Sequence, residues 1–236
     1  MKTLCVVIVV LSFTSVCQPA SLACQKLLKP AETIPVLTGR WHAIAFSSEI
    51  CGMNEFWGYV IWPSIALDVT AKDTANIYDV NIKMNMHGHC SNQSQTYFTR
   101  NNHIFDVDSN NLPVGDPHVM VQTGCPDCIV LKRNVTTIVL YSRRSTVTAD
   151  EMKEFETQIE CLGWKRPEVL KSAHDYDTCK IIDDDTDWNQ LQLGVVINER
   201  MKNAKEATKC FEEFLGQVIS AILEAIFARL PWMQKQ

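Results

Sequence analysis

The chain of 236 residues is as informative in what it lacks as in what it carries. It has no Gly-x-Ser-x-Gly elbow, no His-Glu-x-x-His and no Gly-rich loop to cradle a phosphate, so no catalytic constellation stands out. Its histidines at 42, 103, 118 and 174 are scattered. Positive charge is not in excess: 22 Lys and Arg stand against 27 Asp and Glu, for a net charge of -5, with no basic cluster. That removes the electrostatic footprint of a nucleic-acid binder. There is no internal repeat and no low-complexity tract. The apolar run Leu4 to Phe13 falls well short of the roughly 20 residues of a membrane span.

That run has another reading. Met1-Lys2-Thr3, the apolar stretch and the small residues after it have the zones of a secretory signal. We assign residues 1–20 to it, with the cut anywhere from 17 to 23: Ser15 and Cys17 suit a processing enzyme, and so do Ser21 and Ala23. Of ten cysteines, Cys5 and Cys17 leave with the signal. Cys24, Cys51, Cys90, Cys125, Cys128, Cys161, Cys179 and Cys210 remain, an even set that reads as a disulfide framework in an exported chain. Sequons at Asn92 and Asn134 would accept glycans in the same compartment.

From Leu37 to Arg144 short β-type segments alternate with turn clusters. Tyr78, Val80, Ile82, Met84 and Met86 alternate with Asp79, Asn81, Lys83 and Asn85, giving one dry and one wet face. Further strands are expected at Ile65 to Thr70, Thr96 to Arg100, Ile104 to Asp108, His118 to Gln122, Ile129 to Lys132 and Thr137 to Arg143. With the Trp41 segment these make eight. Hairpin-length links favour an all-β, up-and-down antiparallel barrel, which has no exposed edge and can hold one small ligand. A helix follows: the Thr148 hydroxyl caps it, Glu151 reaches back, Met152, Phe155, Ile159 and Leu162 form its apolar stripe, and Gly163 stops it.

Gly39-Arg40-Trp41 at the first strand, Leu140-Tyr141-Ser142-Arg143 on the last, and the helix ending near Cys161 resemble a lipocalin. Cys90, Thr123-Gly124-Cys125-Pro126 and Glu154-Phe155 leading to Cys161 narrow this to the apolipoprotein M and orosomucoid branch. The wording Cys125-Pro126-Asp127-Cys128-Ile129-Val130 and Cys161-Leu162-Gly163-Trp164 is similar to the fish plasma members that bind saxitoxin, tetrodotoxin or tributyltin. One departure is clear: Asp127 stands in the loop before strand seven, but Cys128 takes the place of the family's aromatic. The resemblance implies a lipocalin domain over 24–180, with bridges Cys90 to Cys179 and Cys24 to Cys161. Cys125 with Cys128, leaving Cys51 with Cys210, is one option among the remaining connectivities, which sequence does not choose between. A zinc site at Cys125 and Cys128, with His87 and His89 as further ligands, is the weaker reading, and no metal or cofactor is expected.

The resemblance also sets roles. Arg143 is expected to meet Trp41 at the closed end, with Gly39 letting the chain turn into the barrel. Strand parity then puts Val139 and Tyr141 inside, along with Tyr78, Val80, Ile82 and Met84; Phe98 and Arg100 are added from strand four. A face with two adaptable Met side chains favours a pocket over solid packing. Phe56, Trp57, Tyr59 and Trp62 belong to the loop that overhangs the barrel mouth in a lipocalin. Residues 181–236 read as an acidic linker and an amphipathic helix, Phe211, Leu215, Val218, Ile219, Ile222 and Leu223 being part of its wide apolar stripe. The expected function is therefore non-catalytic: a secreted plasma carrier of a small hydrophobic ligand, an organotin or a guanidinium toxin. The alternative is an interaction or lipoprotein-associated protein acting through the C-terminal helix.

Overall fold

The computed structural model describes residues 22–50, 53–55, 63–86, 88–133, 136–170, 176 and 179–181. After a short helical segment at 22–27, eight strands follow in order: β1 (Gly39–Ser48), β2 (Ser64–Ala71), β3 (Ile77–Met86), β4 (His89–Arg100), β5 (His103–Val107), β6 (Pro113–Val121), β7 (Cys128–Arg133) and β8 (Thr137–Ser142). Each pairs antiparallel with the next, and β8 returns to β1, so the sheet closes into a barrel. Closure gives each of these eight strands a partner on both sides along part of its length. Two short pieces, β9 (Glu168–Val169) and β10 (Lys180–Ile181), add to β1 and β4.

Two strands are longer than their sequence signal. β4 begins at His89: Ser91 to Gln95 is polar throughout and gives no alternation to read, yet every residue pairs in register with β3 from Met86↔His89 to Ile77↔Phe98. β6 begins at Pro113, inside what reads as a turn cluster, pairing with Val107. At the first position of a strand, the amide hydrogen a proline lacks costs little.

Helix α1 (Ala149–Leu162) closes the described domain. Thr148 Oγ1 accepts from the Glu151 N–H while the Glu151 carboxylate accepts from the Thr148 N–H, a complete capping box. Gly163, at φ 73°, ends the helix in the left-handed region that favours glycine, and the Trp164 N–H donates back to the Ile159 carbonyl. Phe155 and Ile159 are almost wholly buried against Ile44, Val121, Val130, Ile138 and Leu140 from the barrel's outer face. Gln158, also buried, donates from Nε2 to the carbonyls of Leu27 and Gln122, tying the helix to the N-terminal segment and β6.

The core thus has two compartments. Side chains of alternate parity fill the space under α1, and the rest point into the barrel: Trp41, Ala43, Val69, Val80, Ile129, Leu131 and Tyr141 belong to the interior cluster. Among the described residues no helix is long and apolar enough to cross a membrane.

Candidate functional site: the barrel cavity

One end of the barrel is plugged by three residues that fit only as a set. Trp41 is 2% exposed, and its indole Nε1 donates to the Leu37 carbonyl at 2.7 Å. The Arg143 guanidinium lies over the indole at 3.9 Å, and donates from Nη2 to the carbonyls of Val36 and Thr38 and from Nη1 to that of Arg40. Gly39 has φ 100°, and a Cβ there would sit 2.6 Å from Arg143 Nη1. The missing side chain leaves the space through which the arginine crosses the entering chain. Trp41 also forms part of the cavity wall, so plug and chamber share this side chain.

Above the plug lies a largely apolar chamber walled by Leu67, Val69, Tyr78, Val80, Ile82, Ile104, Ile129, Leu131 and Tyr141, among others. Its empty space is about 690 Å³, part of it open to solvent. Of the residues expected to line it, Tyr78, Val80, Ile82 and Tyr141 do. Val139 is buried in the interior cluster without forming the chamber wall. Met84 shares the face of Ile82, pairs with Ile65 and lies toward the end opposite Trp41, outside the chamber.

Phe98 and Arg100 are corrected. Tyr78 pairs with Tyr97, which puts Tyr97 and Thr99 inside and Phe98 and Arg100 outside. Phe98 packs on Phe105 at 6.2 Å across the outer surface, and Arg100 is exposed. An apolar residue in a strand without alternation does not reveal which face is inward.

The parity that excludes Phe98 brings in polar groups the sequence reading missed. Tyr97, His118 and Arg133 all line the chamber. Arg133 continues the inward phase of Ile129 and Leu131, a signal present in the sequence but cut off where the strand was expected to end, at Lys132. The Arg133 side chain bonds to Tyr97 and lies in the field of Tyr141 and Asp106. Burial works against its charge, but the Asp106 carboxylate and the hydrogen bond to Tyr97 favour it, and the guanidinium stays a cation. Burial pushes the Tyr97 and Tyr141 phenols above their usual range, with Arg133 opposing. Both are therefore neutral at pH 7, and the Tyr97 hydroxyl donates to Gln95 Oε1. Burial, reinforced by Arg133, holds His118 below the usual histidine range, against a pull upward from Asp106.

Three disulfides are formed among the described residues: Cys24–Cys161, Cys90–Cys179 and Cys125–Cys128. The first anchors the N-terminal segment to the end of α1, and the second fastens β4 to the chain after it. Cys51 and Cys210 lie outside the described residues, as do Asn134, the loop aromatics Phe56, Trp57, Tyr59 and Trp62, and the C-terminal amphipathic segment. Asn92 is exposed on β4.

The zinc reading of Cys125 and Cys128 fares poorly. Asp127 and Glu151 join the two sulfurs within 4.8 Å, but the sulfurs are bonded to each other. Both carboxylates are taken by the Arg144 guanidinium, at 2.7 Å and 2.8 Å. A cation already sits where a metal would. His89 opens β4 at the end of the barrel opposite this loop, so it cannot complete the site.

An eight-stranded antiparallel barrel, plugged at one end by a Trp–Arg stack, hollow above it and flanked by one helix, defines a lipocalin. More narrowly, a family model for the ApoM domain matches residues 29–183, and the chain belongs to that family. Among solved structures it is similar to the siderocalin Ex-FABP, described as functioning through dual ligand specificities, at 14% identity and a TM-score of 0.48, covering 62% of this chain and 98% of that one. It is also similar to lipocalin 12 from rat epididymis, at 13% identity and a TM-score of 0.48, covering 62% of this chain and 90% of that one. Comparison with curated proteins gives no match.

Proposed function

We propose that the protein is a secreted carrier that holds one small amphiphilic ligand in the barrel, apolar body against the walls and acidic or strongly accepting head on Arg133. The observation behind this is the placement of one guanidinium, with the hydroxyls of Tyr97 and Tyr141 near it, in a largely apolar chamber. A cation in such surroundings forms strong, charge-assisted hydrogen bonds to an oxyanion. Export is supported by the N-terminal signal together with the disulfides, and the exposed Asn92 suits a glycan.

The same charge ranks the ligands that the fish plasma proteins suggest. A guanidinium toxin would bring a second fixed cation beside Arg133, which costs several kcal/mol at close range in a poorly screened site. A neutral organotin meets no such penalty, though nothing in the chamber singles out tin. The carrier reading involves no chemistry on the ligand.

Calorimetric titration of the mature protein with decanesulfonate, decanol and decylguanidinium tests this reading. The sulfonate is expected to bind at least tenfold more tightly than the alcohol, and the guanidinium most weakly. In Arg133→Met, sulfonate and alcohol should bind alike. Equal binding of all three to the unaltered protein would refute the assignment of the head site.

A further inference from the structure

His118 is the least satisfied polar side chain in the chamber. It is 4% exposed, yet neither ring nitrogen has a hydrogen-bond partner. Nε2 is 3.6 Å from the nearer Asp106 oxygen, which is ion-pair range but not a hydrogen bond. A buried polar group left in this state is destabilising, because it has given up its hydrogen bonds to water without replacing them. His118 is not needed to fill the core, since an apolar residue of its size would do so without that cost.

The groups around it act on its charge in opposite directions. Tyr97 of β4 presents its ring edge-on at 6.5 Å. Asp106 of β5 offers a carboxylate whose side chain is 53% exposed and therefore partly screened. Arg133 of β7 lies in the same chamber and opposes a second positive charge. Tyr141 of β8, its phenol pushed above the usual range by burial, and Tyr78 of β3 line the same chamber. One carboxylate thus favours protonation of the imidazole, while burial and a guanidinium resist it.

We propose that His118 is a second seat for the ligand's acid group, and that the ring takes up one proton from solvent when an anionic ligand enters. This rests on the reading of Arg133 as the head site and goes beyond it. The anion cancels the field of Arg133 at the imidazole and supplies the acceptor that the ring lacks, so the imidazolium becomes the favoured form. The balance is simple: protein, anion and one proton combine into a complex whose added charges sum to zero.

By linkage, an anion that raises the proton affinity of His118 binds more tightly as pH falls, by about tenfold for each unit of that rise. The slope begins as pH drops through the value His118 has in the complex. It flattens below the value it has in the empty protein. The carrier loads in mildly acidic surroundings and releases in more alkaline ones.

Decanesulfonate is the probe, because it stays ionised throughout and any pH effect belongs to the protein. Affinity is measured by calorimetry from pH 8 to pH 5, in buffers of different ionisation heat so that proton uptake is counted directly. The expected results are at least tenfold tighter binding at the acid end, uptake approaching one proton near the middle of the window, and loss of both effects in His118→Gln. Tight but pH-independent binding without proton uptake overturns the role of His118 and leaves the Arg133 head site standing. A sulfonate that binds no better than decanol overturns both. A pH dependence that survives in His118→Gln overturns the inference by assigning the proton to another group. Should that variant fail to fold by circular dichroism, His118→Asn serves in its place, and proton uptake by the unaltered protein decides without any variant.

Discussion

Gly39→Ala is the sharpest perturbation of this fold, because a single methyl group meets two constraints. The first is the backbone: φ is 100°, outside the conformations that an L side chain tolerates, at a cost of about 1 to 3 kcal/mol. The second is Arg143. The new Cβ would lie 2.6 Å from Nη1, well inside the 3.4 Å at which ordinary contact begins. The guanidinium must draw back, although its Nη2 is held at 2.6 Å by each of the Val36 and Thr38 carbonyls and its plane lies on Trp41. Opening the stack adds about 0.5 to 2 kcal/mol. We expect a total loss of about 2 to 4 kcal/mol, taking strain and stack together. Urea unfolding followed by tryptophan fluorescence measures it. Repeating the substitution in an Arg143→Ala background removes the clash and leaves the backbone cost, so the two changes should be less than additive. Loss of less than about 0.5 kcal/mol, the size of an ordinary surface substitution, would refute this account of the closed end.

Trp41→Ala removes the plug and should cost about 3 to 5 kcal/mol in the same assay; because Trp41 also walls the chamber, the variant should bind bulkier probes than the parent, and unchanged stability would show the plug to be misassigned. Thr148→Ala breaks the capping box and should lower stability by about 1 kcal/mol, with the helix signal in circular dichroism melting earlier. His118 makes stability depend on pH without any ligand. Its pKa in the folded chain lies below the usual value near 6.5, so the unfolded chain binds this proton more readily. Its contribution is full above about pH 6.5 and is lost as pH falls through the folded value. Urea midpoints at pH 7.5, 6 and 5 should therefore fall more steeply in the parent than in His118→Gln; parallel curves would contradict this.

Much of the domain is written locally in the chain. The alternation from Tyr78 to Met86 specifies both a strand and its dry face, since a sheet buried on one side can accept only that phase. Thr148, Glu151 and Gly163 delimit α1 through backbone groups within one turn, so no distant residue is needed to place its ends. Gly39, Trp41 and Arg143 were legible as a set because the Gly-x-Trp opening and the arginine on the last strand carry the lipocalin pattern. The zinc reading failed for a reason that no spacing reveals: Arg144 comes from β8's far end to occupy the two carboxylates.

The phase of β4 could not be read locally. Between Cys90 and Thr96 it offers no apolar alternation, so its inward face is set by pairing with β3, and Phe98 finds its apolar partner in Phe105 outside the barrel. Disulfide partners are likewise a matter of proximity, with Cys24 and Cys161 separated by 137 residues. The polar corner of the chamber shows the division most plainly. Arg133, His118 and Tyr97 lie on three strands and carry no joint motif. Sequence determines the inward or outward phase of a strand wherever burial leaves an alternating pattern; only closure of the barrel brings separate strands face to face, and it is closure that turns three unrelated polar residues into one charged corner of an apolar chamber.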